Sequence, residues 1–190
     1  MKKGEYEILS FENSKEFHTW LKQNHADSNG IFVRLYKKDS GVKSITYAEC
    51  VDEALCFGWI DSIVNKLDEK SYIQKFTPRR PKSMWSKINV DKVTQFIKDG
   101  RMTAAGMAEI ERAKADGRWA AAYDSPTNMQ MPEDFLNLLV KHKKAQEFFE
   151  TLNKTNKFAI AFQLHNAKRP ETREQRMQKF VQMLERGEKL

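Results

Sequence analysis

The sequence has no long apolar run and no clear export signal. No stretch approaches the ~18–20 apolar residues that span a bilayer, and mean hydropathy is -0.71. Two lysines follow Met1, but no apolar segment comes after them, so we expect no signal peptide. The sequence therefore predicts a cytoplasmic protein without membrane insertion.

Cysteine is scarce, since Cys50 and Cys56 are the only two in 190 residues. On one predicted helix they point about 240° apart, which argues against a disulfide between them. A chain of this length buries roughly 70% of its unfolded surface, so its fold needs no covalent staple. We predict two reduced, partly buried thiols.

Short motifs of metal and cofactor chemistry are also missing. His18, His25, His142 and His165 lack the close spacing of a zinc site. The chain has no G-x-S-x-G, no G-x-x-x-x-G-K-[ST] and no G-x-G-x-x-G. We expect no metal and no cofactor, and we assign no catalytic residue. An enzyme whose groups meet from distant positions remains an alternative.

The elements that are present indicate an α+β fold. Asn13 with Glu16, and Thr46 with Glu49, have the spacing of capping boxes at helix starts. Stretches rich in β-branched and aromatic residues predict strands. These stretches are 7–11, 31–37, 63–67 and 70–76.

After Ser125-Pro126-Thr127-Asn128, the best candidate for a linker, the apolar pattern becomes purely helical. We therefore predict a small antiparallel sheet with helices, followed by a helical module. The predicted domain boundaries are 1–124 and 131–190.

The formal net charge is +7, and most of it comes from one segment. Residues 75–92 hold six basic side chains and one acid, Asp91. Between the two halves of the chain the charge is nearly even: residues 1–95 carry 16 basic and 13 acidic side chains, and residues 96–190 carry 17 and 13. A nucleic-acid partner is possible but not favoured, because such proteins usually show a basic face or stripe.

Several longer strings are more specific than any periodicity. They are ALCFGWIDS at 54–62, FTPRRPKSMWSKIN at 76–89, GRM at 100–102, GRW at 117–119 and AKRPETR at 167–173. In this order they closely resemble the YdeI/OmpD-associated family of bacteriocin-protection proteins, from about Phe11 to Gly187. The resemblance implies an N-terminal part similar to small α+β domains, some of them proposed iron chaperones, and a helical C-terminal module. It further implies resistance to antimicrobial peptides, and it carries over no catalytic residue.

The basic segment supplies the first candidate site. Arg79 and Arg80 lie between Pro78 and Pro81, which favour extended or turn backbone. Side chains alternate along extended backbone, so the two guanidinium groups should point apart. With Lys82 they form either an anion-binding site or a solvated loop in which one arginine is structural.

Trp59, Asp61 and Trp85 form the second candidate site. Trp59 and Asp61 follow a predicted helix where the chain should turn into a hairpin. The indoles could give a ligand a flat apolar surface, or both could belong to the core. Asp61 could orient a polar ligand or cap the turn.

Other arginines are weaker candidates. Arg101 and Arg118 follow glycines that end helices, where cations meet terminal carbonyls. Arg101 is kept as a ligand-binding candidate. Lys168, Arg169 and Arg173 surround a helix start, which disfavours cations, so we expect another partner for them.

Taken together, the residues favour a cytoplasmic binding or stress-protection protein. Its partner would be a small anionic ligand, a peptide or a protein, held near Trp59–Asp61 and Pro78–Trp85. The alternatives are a nucleic-acid-binding protein and an enzyme of unknown reaction.

Overall fold

Four strands form one sheet in the computed structural model, which describes residues 6–125 and 128–190. The strands are β1 (Ile8–Ser10), β2 (Ile31–Tyr36), β3 (Trp59–Lys66) and β4 (Ser71–Pro78). Their order is β1-β2-β4-β3. Strand β2 pairs antiparallel with β4, as does β3, whereas β1 pairs parallel with β2. The sheet is therefore mixed, because a helix connects β1 to β2 and returns the chain in the same direction.

Eight α-helices lie within the described residues. They are α1 (Ser14–Asn24), α2 (Tyr47–Cys56), α3 (Lys87–Lys98), α4 (Ala104–Ala115), α5 (Glu133–Leu139), α6 (Lys143–Thr151), α7 (Lys154–His165) and α8 (Pro170–Glu185). The Thr46–Glu49 capping box is confirmed, and the Asn13 side chain accepts a hydrogen bond from Glu16 N. The predicted fold class, an α+β part followed by helices, is confirmed, but the sheet is mixed and not wholly antiparallel as predicted, because β1 pairs parallel with β2.

The chain divides into two compact units. The first unit ends at Ala122, and the second runs over Tyr123–Leu190. Each has a hydrophobic core of its own. Of the predicted linker, Pro126 and Thr127 lie outside the described residues, as do residues 1–5, on which the expectation about a signal peptide rests.

The core of the first unit lies on one face of the sheet. Ile31, Val33 and Leu35 alternate along β2 and are buried, whereas the residues between them are partly exposed. Phe17 and Leu21 of α1 belong to the same core. Strand alternation thus sends the odd positions of β2 towards the helices and the even ones to the opposite face.

The β3–β4 hairpin starts earlier than predicted. Strand β3 begins at Trp59, so the expectation that Trp59–Asp61 form a turn is wrong. The direction changes instead at Gly58, whose φ of +73° suits glycine. A Cβ at Gly58 would also lie 2.8 Å from Glu109 Cγ. Trp59 can then pair with Pro78 immediately after α2.

Both cysteines are free and buried, as predicted. Burial raises the pKa of the Cys56 thiol to about 11 and also raises the pKa of Cys50. In the described part of the chain, no helix combines the length and apolarity needed to cross a membrane.

Arg173 in the second unit has the separate partner expected for it. Its Nε and Nη2 donate to the two carboxylate oxygens of Asp134 at 2.6 and 2.7 Å, and its Nη1 donates to Leu164 O at 2.7 Å. The hydrogen bonds from Arg173 hold the pKa of Asp134 below its usual value. This fork fixes the start of α8 against α5.

We expect Asp134→Asn to destabilise the second unit near neutral pH but not in acid. A carboxylate with a lowered folded-state pKa stabilises the fold above its unfolded pKa of about 3.9. This contribution disappears as the pH falls through the folded value. The loss should reach at most about 1 kcal/mol, because the pair is partly exposed to water. The loss of stability is measured from the hydrogen-exchange protection of α8 amides at several pH values between neutral pH and about pH 2.

Glu147→Gln on the exposed surface of α6 is the control for this test. This substitution also removes one negative charge, but at a position outside the Arg173–Asp134 pair. An equal loss of α8 protection in both variants, or a loss for Asp134→Asn that persists at the lowest pH, contradicts the assignment.

Candidate functional site

The structure brings the two predicted segments side by side. Trp59 pairs with Pro78 and Ile60 with Thr77 across β3 and β4. The backbone N–H of Arg79 donates to Gly58 O at 3.0 Å. The segments 59–61 and 78–85 are therefore neighbours in space, although only some of their side chains reach the surface.

The two tryptophans of these segments are core residues. Trp59 is buried, donates from Nε1 to His25 O at 3.3 Å, and meets Trp20 edge-on with ring centroids 5.8 Å apart. Trp85 is 1% exposed and meets Trp119 edge-on at 5.1 Å. Neither indole presents an open face for a ligand, so the core alternative describes both.

The neighbouring arginines lie in opposite environments, as alternation along extended backbone predicts. Arg79 is only 4% exposed, and its guanidinium carbon lies 3.6 Å from the centroid of the Trp85 ring. Its Nη1 donates to Met84 O at 3.2 Å. Arg80 is exposed, and its carbonyl accepts from Ser83 N at 2.9 Å in a turn. Arg79 is therefore a structural residue, and Arg80 is open to water.

The remaining cations of the basic segment are spread over several elements. Lys82 is exposed in the turn after Arg80. Lys92 on α3 forms an ion pair with Asp52 on α2. The Nζ of Lys75 on β4 lies 3.6 Å from the centroid of the Tyr6 ring. The local excess of +5 is thus divided among separate surfaces.

Asp61 lies on β3 and is half-buried. Its carboxylate accepts a hydrogen bond from Tyr47 Oη at 2.7 Å. Tyr47 is the first residue of α2, so this bond links the edge of the sheet to the start of a helix. Asp61 is the only acidic residue of β3.

Arg101 belongs to a different group of side chains. Its Nη2 donates to Glu53 Oε1 at 3.0 Å, and its guanidinium carbon lies 4.3 Å from the centroid of Phe96. Glu53 also lies 2.8 Å from His18 Nδ1. These contacts tie Arg101 to α1, α2 and α3.

Sequence reasoning missed the exposed edge of the sheet. We name the strand Trp59–Lys66 the β3 edge, because β3 is the last strand in the order β1-β2-β4-β3. Ile63 and Val64 on it are 53% and 59% exposed, and Leu67 just after it is also exposed. The apolar run indicated a strand, but only the pairing order identifies it as an edge.

A bulge interrupts the ladder within this strand. Asp61 lies opposite Phe76, but Val64 lies opposite Gln74, so β3 has one extra residue between them. Bulges occur often at sheet edges, where they redirect side chains and limit pairing. Beyond the bulge, Val64–Lys66 pairs regularly with β4.

Within the described residues, no three His, Cys, Asp or Glu side chains group as metal ligands would. This region offers the hydrogen bonding of a strand edge, apolar contact at Ile63 and Val64, and charge at Asp61, Lys66, Arg80 and Lys82.

A family model described as a domain of unknown function, DUF8412, matches residues 9–109, just over half of the chain. The chain belongs to this family. The match includes the sheet from Leu9 onwards, helices α1–α3 and every candidate site residue, from Trp59 to Arg101.

The second unit matches another family, described as bacteriocin-protection, YdeI or OmpD-associated, over residues 128–187. The resemblance inferred from the sequence strings is confirmed for this segment. The family model covers residues 128–187, whereas the resemblance was predicted from about Phe11, and the DUF8412 model matches the N-terminal part. No curated protein and no solved structure matches the chain.

Proposed function

We propose that this protein binds an extended polypeptide segment at the β3 edge and thereby contributes to bacteriocin tolerance. The observation that carries the binding site is an edge strand with Ile63 and Val64 more than half exposed. The match of residues 128–187 to the bacteriocin-protection family points to the process. Location in the cytoplasm remains part of this proposal.

A strand edge suits this task because its outward N–H and C=O groups pair with any extended chain. Affinity then comes from the main chain, and selectivity from the side chains beside it. Val64 and Ile63 supply the apolar contact. Asp61 and Lys66 place opposite charges on either side of these two residues along the β3 edge. A partner strand with complementary charges would be held in one register.

The bulge and the flanking charges fit a selective edge. Long, flat, apolar edges aggregate, and proteins counter this with bulges and lysines. The β3 edge has both, yet Ile63 and Val64 on it, and Leu67 just after it, are exposed to water. Retaining exposed apolar side chains on a protected edge is consistent with a surface that is covered by a partner.

A small anionic ligand at the basic turn has weaker support. Arg79 is stacked on Trp85, and Arg80 and Lys82 lie exposed on a turn. Water screens the Coulomb attraction between an exposed cation and a bound anion, and ordering a long flexible side chain costs entropy. The geometry therefore favours a polypeptide at the neighbouring edge over an anion in the turn.

We expect Val64→Lys to abolish the tolerance that the protein provides. A lysine at this position removes apolar contact and places a charge on the edge, the device by which proteins block strand addition. The measurement is the minimum inhibitory concentration of a bacteriocin panel on a strain lacking the gene. The strain is complemented with wild type or variant at matched protein levels.

Val140→Lys is the matched control, because Val140 is 65% exposed on the second unit. It should restore tolerance fully. If the deletion strain is as tolerant as its parent, the proposed process is wrong. If deletion sensitises the strain but Val64→Lys restores tolerance like wild type, the process stands and the site is wrong.

A further inference from the structure

The face of the sheet opposite the core carries aromatic and basic side chains at neighbouring positions. Along β2, Phe32, Arg34 and Tyr36 alternate with the buried Ile31, Val33 and Leu35, and are partly exposed. Of their register partners on β4, Lys75 is partly exposed, whereas Ile73 and Ser71 are buried. Directly paired residues share a face. We call this set, together with Tyr6, the outer face.

Two cations on the outer face lie over aromatic rings. Lys75 Nζ is 3.6 Å from the centroid of Tyr6, and the Arg34 guanidinium carbon is 4.6 Å from that of Tyr36. Tyr6 in turn meets Phe32 edge-on with centroids 6.1 Å apart. These contacts hold rings and charges in one layer across β2 and β4.

The two cations differ in what else they contact. Arg34 donates from Nη2 to Asp68 at 2.6 Å and from Nε to Ser71 Oγ at 2.9 Å, so it is fixed in place. For Lys75, no carboxylate lies within ion-pair distance among the described residues. Its ammonium, opposite Phe32 in the register, keeps its donors for an anion.

We propose that the outer face binds single-stranded nucleic acid. Bases stack on Phe32 and Tyr36, which lie about 13 Å apart along β2 at 3.3 Å per residue. The phosphate backbone contacts Lys75. Aromatic rings beside cations on a sheet face form the general chemistry of single-strand binding, since every base has a stackable face. This site is separate from the β3 edge and does not depend on the proposed function.

The test measures fluorescence anisotropy of labelled oligo-U and oligo-dT of about 15 nucleotides, within the range of single-strand site sizes. An equally long duplex serves as the comparison. At about 50 mM salt we expect both single strands to bind more tightly than the duplex, with affinity falling as salt rises. A preference for oligo-U over oligo-dT that persists against oligo-dU, which lacks only the 2′-hydroxyl, would assign the site to RNA. Equal affinity would assign it to single strands of either kind.

Two variants locate the site. Phe32→Ala should weaken binding about 5- to 100-fold, the effect of losing one stacked base. Lys75→Gln should reduce the slope of affinity against salt by about one phosphate contact. Because Phe32 is partly buried, Lys75→Gln keeps the test valid if Phe32→Ala does not fold.

Lys143→Gln on the second unit removes the same charge from an exposed position and should leave the salt slope unchanged. Val64→Lys at the β3 edge should not weaken oligonucleotide binding. The proposal is overturned if neither single strand binds at low salt, or if the duplex binds as tightly as the single strands. It is also overturned if Lys75→Gln and Lys143→Gln change binding equally.

Discussion

Replacing Trp85 with alanine is expected to lower the free energy of unfolding of the first unit by about 3–5 kcal/mol. The indole is 1% exposed, packs edge-on against Trp119 and forms the surface on which Arg79 lies. Its removal leaves a cavity and takes the ring from a guanidinium that is itself only 4% exposed. Loss of a desolvated cation–π contact, about 2 kcal/mol, contributes to this total.

Tryptophan fluorescence during urea unfolding measures this loss selectively. All four tryptophans, Trp20, Trp59, Trp85 and Trp119, lie in the first unit, so three remain as probes in the variant. Trp85→Phe is the matched control, because a phenyl ring can still stack on Arg79. The Trp85 Nε1 has no hydrogen-bond partner among the described residues, so replacing the indole with a phenyl ring breaks no hydrogen bond to them. A loss below about 1 kcal/mol for Trp85→Ala would show that Trp85 is not a core residue.

The surroundings of Trp85 illustrate what could be predicted from the sequence and what could not. Alternation around the prolines predicted that Arg79 and Arg80 point apart, and one is buried while the other is exposed. Which arginine is buried depends on the position of Trp85. That position follows from the pairing of β4 with β3 and from the turn after Pro78. Such non-local pairing has no signature in local composition.

The strands show the same division. Composition predicted β1, β2, β4 and the second half of β3, and the capping residues placed α1 and α2, because these signals act over a few residues. The parallel pairing of β1 with β2 and the edge position of β3 depend on contacts between distant segments. The two surfaces proposed for binding were missed for this reason. The alternation of Phe32 and Tyr36 was visible in the sequence, but their pairing with Lys75 was not.

Arg101 gives the opposite case, in which a local rule competed with a long-range contact. Its place after Gly100 suggested an interaction with the carbonyls that end α3. The residues next to Arg101 in the sequence give no hint of Glu53, which lies on α2 and accepts its hydrogen bond at 3.0 Å. A carboxylate partner gives a charge-assisted bond, which is stronger than a bond to a neutral carbonyl.

The close packing of α4 against the end of α2 leads to a second large effect. Thr103, the N-cap of α4, donates from N at 3.1 Å and from Oγ1 at 2.7 Å to the carbonyl of Cys56. Its Oγ1 also accepts from Gly106 N at 3.2 Å. These bonds bring the first turn of α4 onto the last turn of α2. A Cβ at Gly106 would lie 2.3 Å from Cys56 O and 2.6 Å from Met102 Cε.

Gly106→Ala is therefore expected to lower the free energy of unfolding of the first unit by about 1–3 kcal/mol. Helix propensity alone predicts the opposite sign, since alanine is favoured over glycine in a helix by about 1 kcal/mol. The clash outweighs this gain because the contacted oxygen is backbone, held by two hydrogen bonds, and cannot rotate away as a flexible side chain could.

Ala108→Gly, at an exposed position of the same helix, calibrates the propensity of α4 itself. It should cost about 1 kcal/mol. The same tryptophan fluorescence follows both variants. If Gly106→Ala stabilises the unit by as much as Ala108→Gly destabilises it, propensity alone determines the position and α4 does not contact Cys56 closely. If both variants destabilise the unit, the absence of a side chain at Gly106 is what allows α4 to pack against α2.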